Sequence, residues 1–414
     1  LIVDIHDAAP NAPGFAWTQI DTAAITQDLT NSIPGAWADY DNDRDPDLFM
    51  GNAGTQNDFL FSNNGSGNFQ KTIFADGRST LGASWGDYDN DGDLDLFVAN
   101  FLNQRNLLYQ NSGKPDYRLT PSAAGAVTND AGMSVGSGWG DFDNDGDLDL
   151  FVANDGQNNF LYQNNGAPGY AFTKITAGQA VNDGGNSFGA AWADYDRDGD
   201  LDLFVANRLN QNNFLYANEG NGNTWVAIKL IGTTSNRSGI GAKVRVRANI
   251  PGAARWQMQE VLAQSGYNSQ NLELHFGLAQ VTVMDSIKVE WPSGNNDTFS
   301  NVPAQRFITI TEGGGLTAVE QRAFAPIAGF ALHPNYPNPF NPSTRIRFDL
   351  PSRQLVTLKV YDVLGREVAI LLEGFQAAGV HEVTFEAASL RSGLYLLRMA
   401  GGSFVQTRKM VLAR

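Results

Sequence analysis

Aspartates recur at alternate positions in four short segments of the sequence. One segment, "DYDNDGDLD", begins at Asp87 and places five carboxylates within nine residues. Carboxylates this close repel one another, but a short loop lets successive side chains surround a single point. Hard oxygen donors around one point suit Ca²⁺, which accepts six to eight oxygen ligands with flexible geometry. A general acid–base pair needs two carboxylates held apart across a cleft. The spacing therefore predicts metal-binding loops and not a catalytic pair.

All twenty aspartates of these segments are candidate metal-binding residues. They are Asp39, Asp41, Asp43, Asp45 and Asp47 in the first loop; Asp87, Asp89, Asp91, Asp93 and Asp95 in the second; Asp141, Asp143, Asp145, Asp147 and Asp149 in the third; and Asp194, Asp196, Asp198, Asp200 and Asp202 in the fourth. In the last three loops a glycine, Gly92, Gly146 or Gly199, permits the positive φ that turns the chain back. We expect calcium in all four loops, with three strong sites.

The first loop differs from the others in two residues. Arg44 stands where the other loops have glycine, and Pro46 stands where they have leucine. The arginine must adopt an unfavourable backbone conformation or distort the loop, and it brings a competing positive charge. We expect the weakest of the four calcium sites here.

The four loops belong to a repeat of about fifty residues. Their first aspartates are 48, 54 and 53 residues apart, and each loop is followed by a second shared phrase such as "NNFLYQNNG". Short apolar runs separated by glycine-rich turns give four strands in each unit, which is typical of a β-propeller blade. Residues 15–20, "FAWTQI", resemble "YAFTKI" at 170–175 and are predicted to close the ring. An open stack of four blades is the alternative.

These repeats resemble FG-GAP/VCBS repeats, the blades of integrin-α-like propellers. The resemblance covers residues 15–222 and implies the ligands in each loop. Side-chain ligands would come from loop positions one, three, five and nine, as in Asp87, Asp89, Asp91 and Asp95. Position seven, Asp93 in that loop, would contribute its main-chain carbonyl.

Two further segments resemble known families. "NTWVAIKLIGTTSNRSGIGAKVRVRA", "SGYNSQNLELHFGL" and "IKVEWPSG" are similar to an ASPIC/UnbV domain, and Val244, Val246, Ile287 and Val289 alternate as in strands with one buried face. The last eighty or so residues, from "HPNYPNPFNPSTRIRFDLP" through "YDVLGREV" to "QTRKMVLAR", resemble the type A sorting domain of the type IX secretion system, a small Ig-like β-sandwich. We therefore predict an all-β chain: a four-bladed calcium-binding propeller-like domain (1–222), a β-domain (223–312), a linker (313–331) and a sorting sandwich (332–414).

Composition excludes several classes of protein. The sequence contains no cysteine, so it has neither disulfides nor thiolate metal sites. Residues 1–223 carry 31 acids and 9 bases, whereas residues 224–414 carry 13 acids and 19 bases. The acidic part argues against nucleic acid as a partner, and no apolar run is long enough to span a membrane. The chain begins at Leu1 and shows no signal peptide; we expect a processed mature chain, and an artificial boundary would look the same.

Several residues outside the aspartates are weaker functional candidates. Trp37, Trp85, Trp139 and Trp192 precede the loops in strict register, which favours a role in the blade core over a sugar-stacking set. The four histidines are isolated in sequence, and their expected roles are structural. Arg197 is the one suggestive base beside a loop, and a solvent-facing arginine is the preferred interpretation. No fingerprint of a hydrolase, metalloprotease or nucleotide-binding enzyme is present.

These features predict a secreted, calcium-binding protein on the surface of a bacterium with an outer membrane, and not an enzyme. Its role would be structural or adhesive, with self-assembly into a filament or sheath as a variant. Self-association could use charge complementarity between the two halves, or strand addition by the N-terminal "LIVDIHDA". The alternative for that segment is a local edge strand or a frayed chain end. The other partners expected are a glycan or surface protein and the type IX secretion machinery. A carbohydrate-binding module is the second hypothesis, and a calcium-assisted polysaccharide lyase is the third.

Overall fold

Strands dominate both parts of the protein. The structure, a computed structural model, describes residues 23–250, 253–262, 271–319, 329–350, 354–376, 379–387, 390–402 and 404–413. The chain divides into two compact units, Leu1–Val319 and Glu320–Arg414. Within the described ranges the helices are three single turns: a 3₁₀ turn Ala24–Thr26 and α-helical turns Ala126–Asn129 and Gln179–Asn182. The prediction of an all-β fold is confirmed.

Each of the four sequence repeats forms one antiparallel sheet, which we call repeat sheets one to four. Sheet one contains Ser32–Ala38, Asp47–Asn52, Asp58–Asn63 and Phe69–Phe74; sheet two contains Thr80–Gly86, Asp95–Asn100, Leu107–Asn111 and Leu119–Pro121. Sheet three contains Ser134–Gly140, Asp149–Asn154, Phe160–Asn164 and Phe172–Ile175; sheet four contains Ser187–Ala193, Asp202–Asn207 and Phe214–Tyr216. A two-residue ladder, Gln104–Arg105 with Ala131–Gly132, lies beside them.

The repeat sheets stack face to face, and their second strands show why. Strands Asp95–Asn100 and Asp149–Asn154 have every residue buried, so apolar side chains are covered on both faces. A strand buried on both faces reads as a continuous apolar run, as "DLFVAN" does. The aspartate loop of each repeat connects its first strand to its second, so all four loops occupy the same place in their sheets.

Two predictions for the N-terminus concern residues outside the described ranges. The segment 15–20, predicted to close the ring, and the strand predicted in "LIVDIHDA" both precede residue 23. Among the described residues, repeat sheet four has three strands and the other three repeat sheets have four.

The next part of the first unit contains two four-stranded sheets around one apolar core. One sheet has the order Glu273–Ala279, Thr224–Ile231, Arg306–Thr311, Gly315–Val319, and the other has Ala253–Glu260, Lys243–Ile250, Val283–Glu290, Asn296–Pro303. The alternation predicted for Val244, Val246, Ile287 and Val289 is confirmed, since all four are buried in this core. Gly315–Val319 returns along Arg306–Thr311 because glycines 313–315 form a tight turn, so a strand occupies the start of the range predicted as linker.

The second unit is also built from two sheets. The first contains Ala331–Leu332, Ser343–Leu350 and Gly379–Glu386; the second contains Glu367–Gln376, Gln354–Tyr361, Gly393–Gly401 and Phe404–Leu412. Alternate residues of the facing strands, among them Ile346, Phe348, Leu358 and Leu397, are fully buried in a single core. This period-two burial is the pattern of strands with one covered face.

None of the helices in the described residues is long and apolar enough to cross a membrane.

Candidate metal loops and the sheet that covers them

Three carboxylates converge in each of the four loops. In loops two, three and four they belong to positions one, three and nine, and in each set the oxygens lie within 4.8 Å of one another. These sets are Asp87, Asp89, Asp95; Asp141, Asp143, Asp149; and Asp194, Asp196, Asp202. In loop one the converging set is Asp39, Asp41 and Asp43, without the position-nine residue Asp47. The first loop therefore differs from the others in geometry as well as in sequence.

The position-nine aspartate is fixed by main-chain amides from two directions. In loop two, Asp95 accepts hydrogen bonds from the amide of Tyr88 at 3.2 Å and from the amide of Asn111 at 2.8 Å. The same pair of bonds recurs in each of the other loops. Asn111 lies in the second phrase of the repeat, "YQNSG". The phrase thus folds back to hold the last carboxylate of the loop in place.

The position-seven aspartates face away from the converging carboxylates. Asp93 accepts a hydrogen bond from Asn42 Nδ2 at 2.6 Å, so loop one is tied to loop two. The equivalent bonds run from Asn90 to Asp147 at 2.9 Å and from Asn144 to Asp200 at 2.7 Å. A Cβ added at Gly113 would lie 2.4 Å from an Asp93 carboxylate oxygen. The second phrase therefore needs a glycine at this position to leave room for Asp93. These side chains connect neighbouring repeats.

Position five also lies outside the converging sets of loops two to four. The amide of Asp91 donates to Asp87 Oδ1 at 3.1 Å, and Asp91 Oδ1 accepts from the amide of Asp93 at 3.0 Å. Positive φ angles at Gly92, Gly146 and Gly199, between 93° and 98°, close the turns as predicted. Arg44 adopts a φ of 78° at the equivalent position, so the strained backbone predicted for loop one is confirmed.

Burial makes these carboxylates poor at holding negative charge unaided. Burial, and then repulsion from Asp89 and Asp87, raises the pKa of Asp95 well above its ordinary value. In loop three, burial and then repulsion from neighbouring aspartates raise the pKa of Asp141 strongly and bring that of Asp145 to about 7. A cation at the centre of the loop would reverse this effect, since an opposite charge nearby favours the ionised form.

Loop one already has a cation beside it. The Lys243 ammonium lies 2.9 Å from Asp39 Oδ2 and donates to the Asp39 carbonyl oxygen at 2.6 Å. It also contacts Asn42 Oδ1. Lys243 and Asp39 are both buried. In loops two to four the equivalent carboxylate oxygen accepts an amide bond from the loop glycine. A side chain from strand Lys243–Ile250 thus places one positive charge beside the carboxylates of loop one.

Arginines from the sheet that contains Lys243 also contact loops two and three. Arg245 Nη1 donates to the Gly92 carbonyl oxygen at 3.1 Å. Arg255 forms two parallel 2.9 Å bonds to the Asp147 carboxylate and also donates to the Asp145 carbonyl oxygen at 3.2 Å. Paired bonds of this kind are the strong form of an arginine–carboxylate contact.

Two aromatic residues cover the fourth loop. Trp225 packs so closely on Gly199 that a Cβ there would lie 1.7 Å from the indole nitrogen. Arg197 is exposed, as expected, and its guanidinium carbon lies 3.9 Å from the centre of the Phe307 ring. The arginine is therefore stacked on a ring of the covering sheet, and no general-base role is needed to explain it.

The tryptophans of the repeats pack between neighbouring sheets. Trp85 stacks on Tyr40 of the preceding repeat, with ring centres 5.9 Å apart, and its indole nitrogen donates to the Ala36 carbonyl oxygen. Trp139 and Trp192 make the same two contacts with repeats two and three. The predicted core role is confirmed for these three, whereas Trp37, in the first repeat, is 41% exposed.

His275 is the one histidine that contacts a loop among the described residues. Its Nε2 lies 2.7 Å from Asn144 Oδ1 in loop three, and burial lowers its pKa to about 4. A neutral imidazole held between an asparagine and the Trp225 ring has a structural role, as expected for the histidines.

Sequence reasoning missed Lys243, Arg245 and Arg255. One signal was available, because the positive charge of residues 224–414 complements the negative charge of the repeats. That signal is one of composition only, and it does not identify which cation meets which loop.

Family models match the chain in three places. The FG-GAP-like repeat model matches residues 39–98, 87–152 and 141–205, the ASPIC and UnbV model matches 232–317, and the secretion system C-terminal sorting domain model matches 335–413. The chain therefore contains these three modules in the predicted order.

Two solved structures are similar at low identity. One is PorZ of Porphyromonas gingivalis, described as an essential bacterial surface component of the type-IX secretion system: 12% identity, TM-score 0.24, covering 89% of this chain and 58% of PorZ. The other is a tetra-tandem repeat from the extending region of a large adhesion protein: 11% identity, TM-score 0.17, covering 92% and 99%. The chain thus spans little more than half of the PorZ chain. No curated protein matches the sequence.

The matched modules decide where the protein resides. The sorting domain marks a protein exported by the type IX secretion system that is extracellular or attached to the cell surface. FG-GAP repeats together with this tail are typical of a surface protein.

Proposed function

We propose that this FG-GAP-repeat protein is a secreted structural or adhesive component of the cell surface, with a repeat region stabilised by three calcium ions. One ion would bind in each of loops two, three and four. The observation that carries the proposal is the convergence of three carboxylates within 4.8 Å in each of these loops. Such a cluster of acids in a half-buried place is unfavourable without a cation.

The donor set fits calcium. Every candidate side-chain ligand is a carboxylate, and a carboxylate oxygen that accepts one amide hydrogen bond keeps further lone pairs for a cation. In loop two, the ligands would be Asp87, Asp89 and Asp95, with Asp91 and the main chain of Asp93 as expected contributors. A bound ion supplies positive charge that lets these carboxylates stay ionised at neutral pH.

Loop one fits a metal poorly, and we propose that Lys243 takes the place of its ion. The ammonium already contacts two oxygens of Asp39, and Asp47 lies outside the converging set. A second positive charge in the same loop would be repelled by the lysine. The calcium count expected for the chain is therefore three, and not three with a weaker fourth.

A carbohydrate-binding role has less support. The faces of Trp85, Trp139 and Trp192 stack on rings of the preceding repeat, and their indole nitrogens donate to main-chain carbonyls. Rings engaged in this way offer little flat surface to a sugar.

Thermal unfolding in calcium and in chelator tests the calcium role. Calcium binds the folded loops and not the unfolded chain, so it should raise the melting temperature in proportion to the logarithm of its concentration. Magnesium, which demands a smaller octahedral site, should give a smaller shift. Identical melting curves in calcium and chelator would contradict the proposal.

A further inference from the structure

The three contacts between neighbouring repeat sheets are built from one set of interactions. The aromatic residue at loop position two stacks on the tryptophan of the next repeat. That tryptophan donates its indole hydrogen to a carbonyl oxygen of the preceding first strand. An asparagine of the next repeat's second phrase donates to the carbonyl oxygen of the same aromatic residue, at 2.9, 2.8 and 2.6 Å. Each internal interface therefore has two halves. The outgoing half belongs to the earlier repeat and contains its position-two aromatic residue, and the incoming half belongs to the next repeat and contains its tryptophan and its second-phrase asparagine.

Repeat sheet four has an outgoing half that no repeat sheet among the described residues covers. Tyr195, Phe204 and Leu215 are 51%, 41% and 55% exposed. Their counterparts in repeats one to three are covered by the following sheet; the buried ones are Tyr40, Tyr88, Phe49, Phe97, Phe151, Leu60, Leu108 and Leu161. Large apolar side chains exposed at positions that are otherwise core indicate an interaction site.

Repeat sheet one has an incoming half with unfilled positions. Trp37 is 41% exposed, and its indole nitrogen makes no hydrogen bond to any residue that the structure describes, unlike the other three tryptophans of the series. Asn63 donates to the Pro46 carbonyl oxygen, as its counterparts do within their own repeats, but from residue 23 onward no earlier repeat offers it a second acceptor. In the described part of the chain, Asp45 also has no counterpart of the asparagine donor that Asp93, Asp147 and Asp200 have.

We propose that repeat sheet four of one copy stacks on repeat sheet one of a second copy, in the register of the internal interfaces. Trp37 of the second copy would stack on Tyr195 and donate to the Ala191 carbonyl oxygen, and Asn63 would donate to the Tyr195 carbonyl oxygen. The partner is a second copy of this chain because the two free halves are complementary parts of an interface that the molecule already uses three times.

Charge supports the same pairing. The internal interfaces place an asparagine at loop position four against an aspartate at position seven of the next repeat. Loop four has Arg197 at position four, and its φ of 62° matches that of Asn42, Asn90 and Asn144. In the proposed contact Arg197 faces Asp45 of the second copy. The interface between copies would therefore contain an ion pair at the place where each internal interface has a hydrogen bond from an asparagine to an aspartate.

The two halves belong to opposite ends of the repeat region, so the contact is head to tail. A heterologous contact of this kind gives a ring if the rotation closes and an open filament if it does not. This inference rests on the structural variant of the proposed role and names the partner and the surface for it.

Blocking each end separately is the sharpest test. Leu215→Glu blocks the outgoing half, Trp37→Glu blocks the incoming half, and Leu364→Glu, at an exposed leucine of the second unit, is the matched control. Sedimentation velocity in calcium should show concentration-dependent association for the wild type and for Leu364→Glu. Each end-blocked variant should lose at least about tenfold in association constant, and an equimolar mixture of the two should form dimers and stop there.

A charge exchange keeps the test valid if an end-blocked variant folds poorly. Asp45→Arg and Arg197→Asp should each weaken association, and the double exchange should restore it. Damage to a loop by either substitution could not be repaired by the other, so rescue identifies the contact between copies.

Calcium occupancy of the same samples separates this inference from the proposed function. A wild type that binds calcium yet remains monomeric at high concentration overturns the head-to-tail contact and leaves the calcium role standing. So does association that survives both end-blocked variants, because another surface must then be responsible. A chain that is monomeric and binds no calcium contradicts both proposals.

Discussion

At the residue scale, the asparagines and aspartates of the loops have different roles. Aspartates at positions one, three and nine converge, whereas the position-seven aspartate accepts a hydrogen bond from an asparagine of the preceding loop. The alternating acids were sufficient to predict a metal loop. They could not assign position seven, since its partner lies in another repeat. The substitution of Arg44 for glycine did predict that loop one would differ.

Removing one converging carboxylate should remove one ion. Asp95→Asn keeps only one of the two oxygens that accept from the amides of Tyr88 and Asn111 and loses the charge, so the calcium count should fall from three to two. At calcium near ten times the dissociation constant, one site contributes about 1.4 kcal/mol to the free energy of unfolding. Calorimetric titration measures the calcium count and denaturant unfolding in calcium measures the free energy of unfolding, with Asp116→Asn, at an exposed aspartate outside the loops, as the control. An unchanged count would exclude Asp95 as a ligand.

Lys243→Met should destabilise the protein without releasing calcium. It leaves the buried Asp39 carboxylate without its cation, and losing one partner of a buried ion pair costs about 3–5 kcal/mol. Denaturant unfolding in saturating calcium measures the loss, with Lys229→Met, at an exposed lysine, as the control. A loss below about 1 kcal/mol would mean that the pair behaves like a surface ion pair.

At the element scale, each loop is held by its own sheet and by the covering sheets of residues 224–319, and loops one to three are also held by the next repeat. The repeated "DLFVAN" predicts the buried second strand because a strand covered on both faces needs a continuous apolar run. The covering contacts could not be predicted, since Lys243 and the Asp39 carbonyl it binds are 204 residues apart in sequence. Long-range packing of this kind leaves no local pattern.

Acidification should stabilise the calcium-free fold. Burial raises the pKa of Asp145 and Asp198 to about 7 from an ordinary value of 3.8, so between these values the folded state binds more protons than the unfolded state. The free energy of unfolding in chelator should therefore rise as pH falls from about 8 to about 5. Calcium affinity should fall over the same range, because protons compete for the carboxylates. Chemical unfolding at several pH values tests this, and in chelator Asp198→Asn should flatten the slope; a stability that falls with acidification there would contradict it.

At the scale of the whole molecule, the metal loops and the sorting domain belong to different modules. Residues 1–319 contain the loops and their covering sheets, and the second unit contains the sorting domain. The order of modules was predictable from short motifs because each motif occurs in a fixed sequence context. The free ends of the repeat stack were not, because exposure depends on what each sheet face meets in three dimensions.

Deleting the sorting domain should prevent export. A chain ending after residue 331 keeps the loops but loses the module that the secretion machinery recognises, so it should accumulate in the periplasm and not on the cell surface. Fractionation of cells that produce the full and shortened chains measures this, with the melting temperature in calcium as a control for folding of the remainder. Surface exposure of the shortened chain would show that export uses another signal.

Counting the calcium ions bound by the intact chain tests the central claim most directly. Native mass spectrometry after exchange into calcium, and again into chelator, should give three ions per chain and then none. Four ions would show that Lys243 does not replace the metal in loop one. A chain that carries no calcium at all would contradict the account of the loops as metal sites.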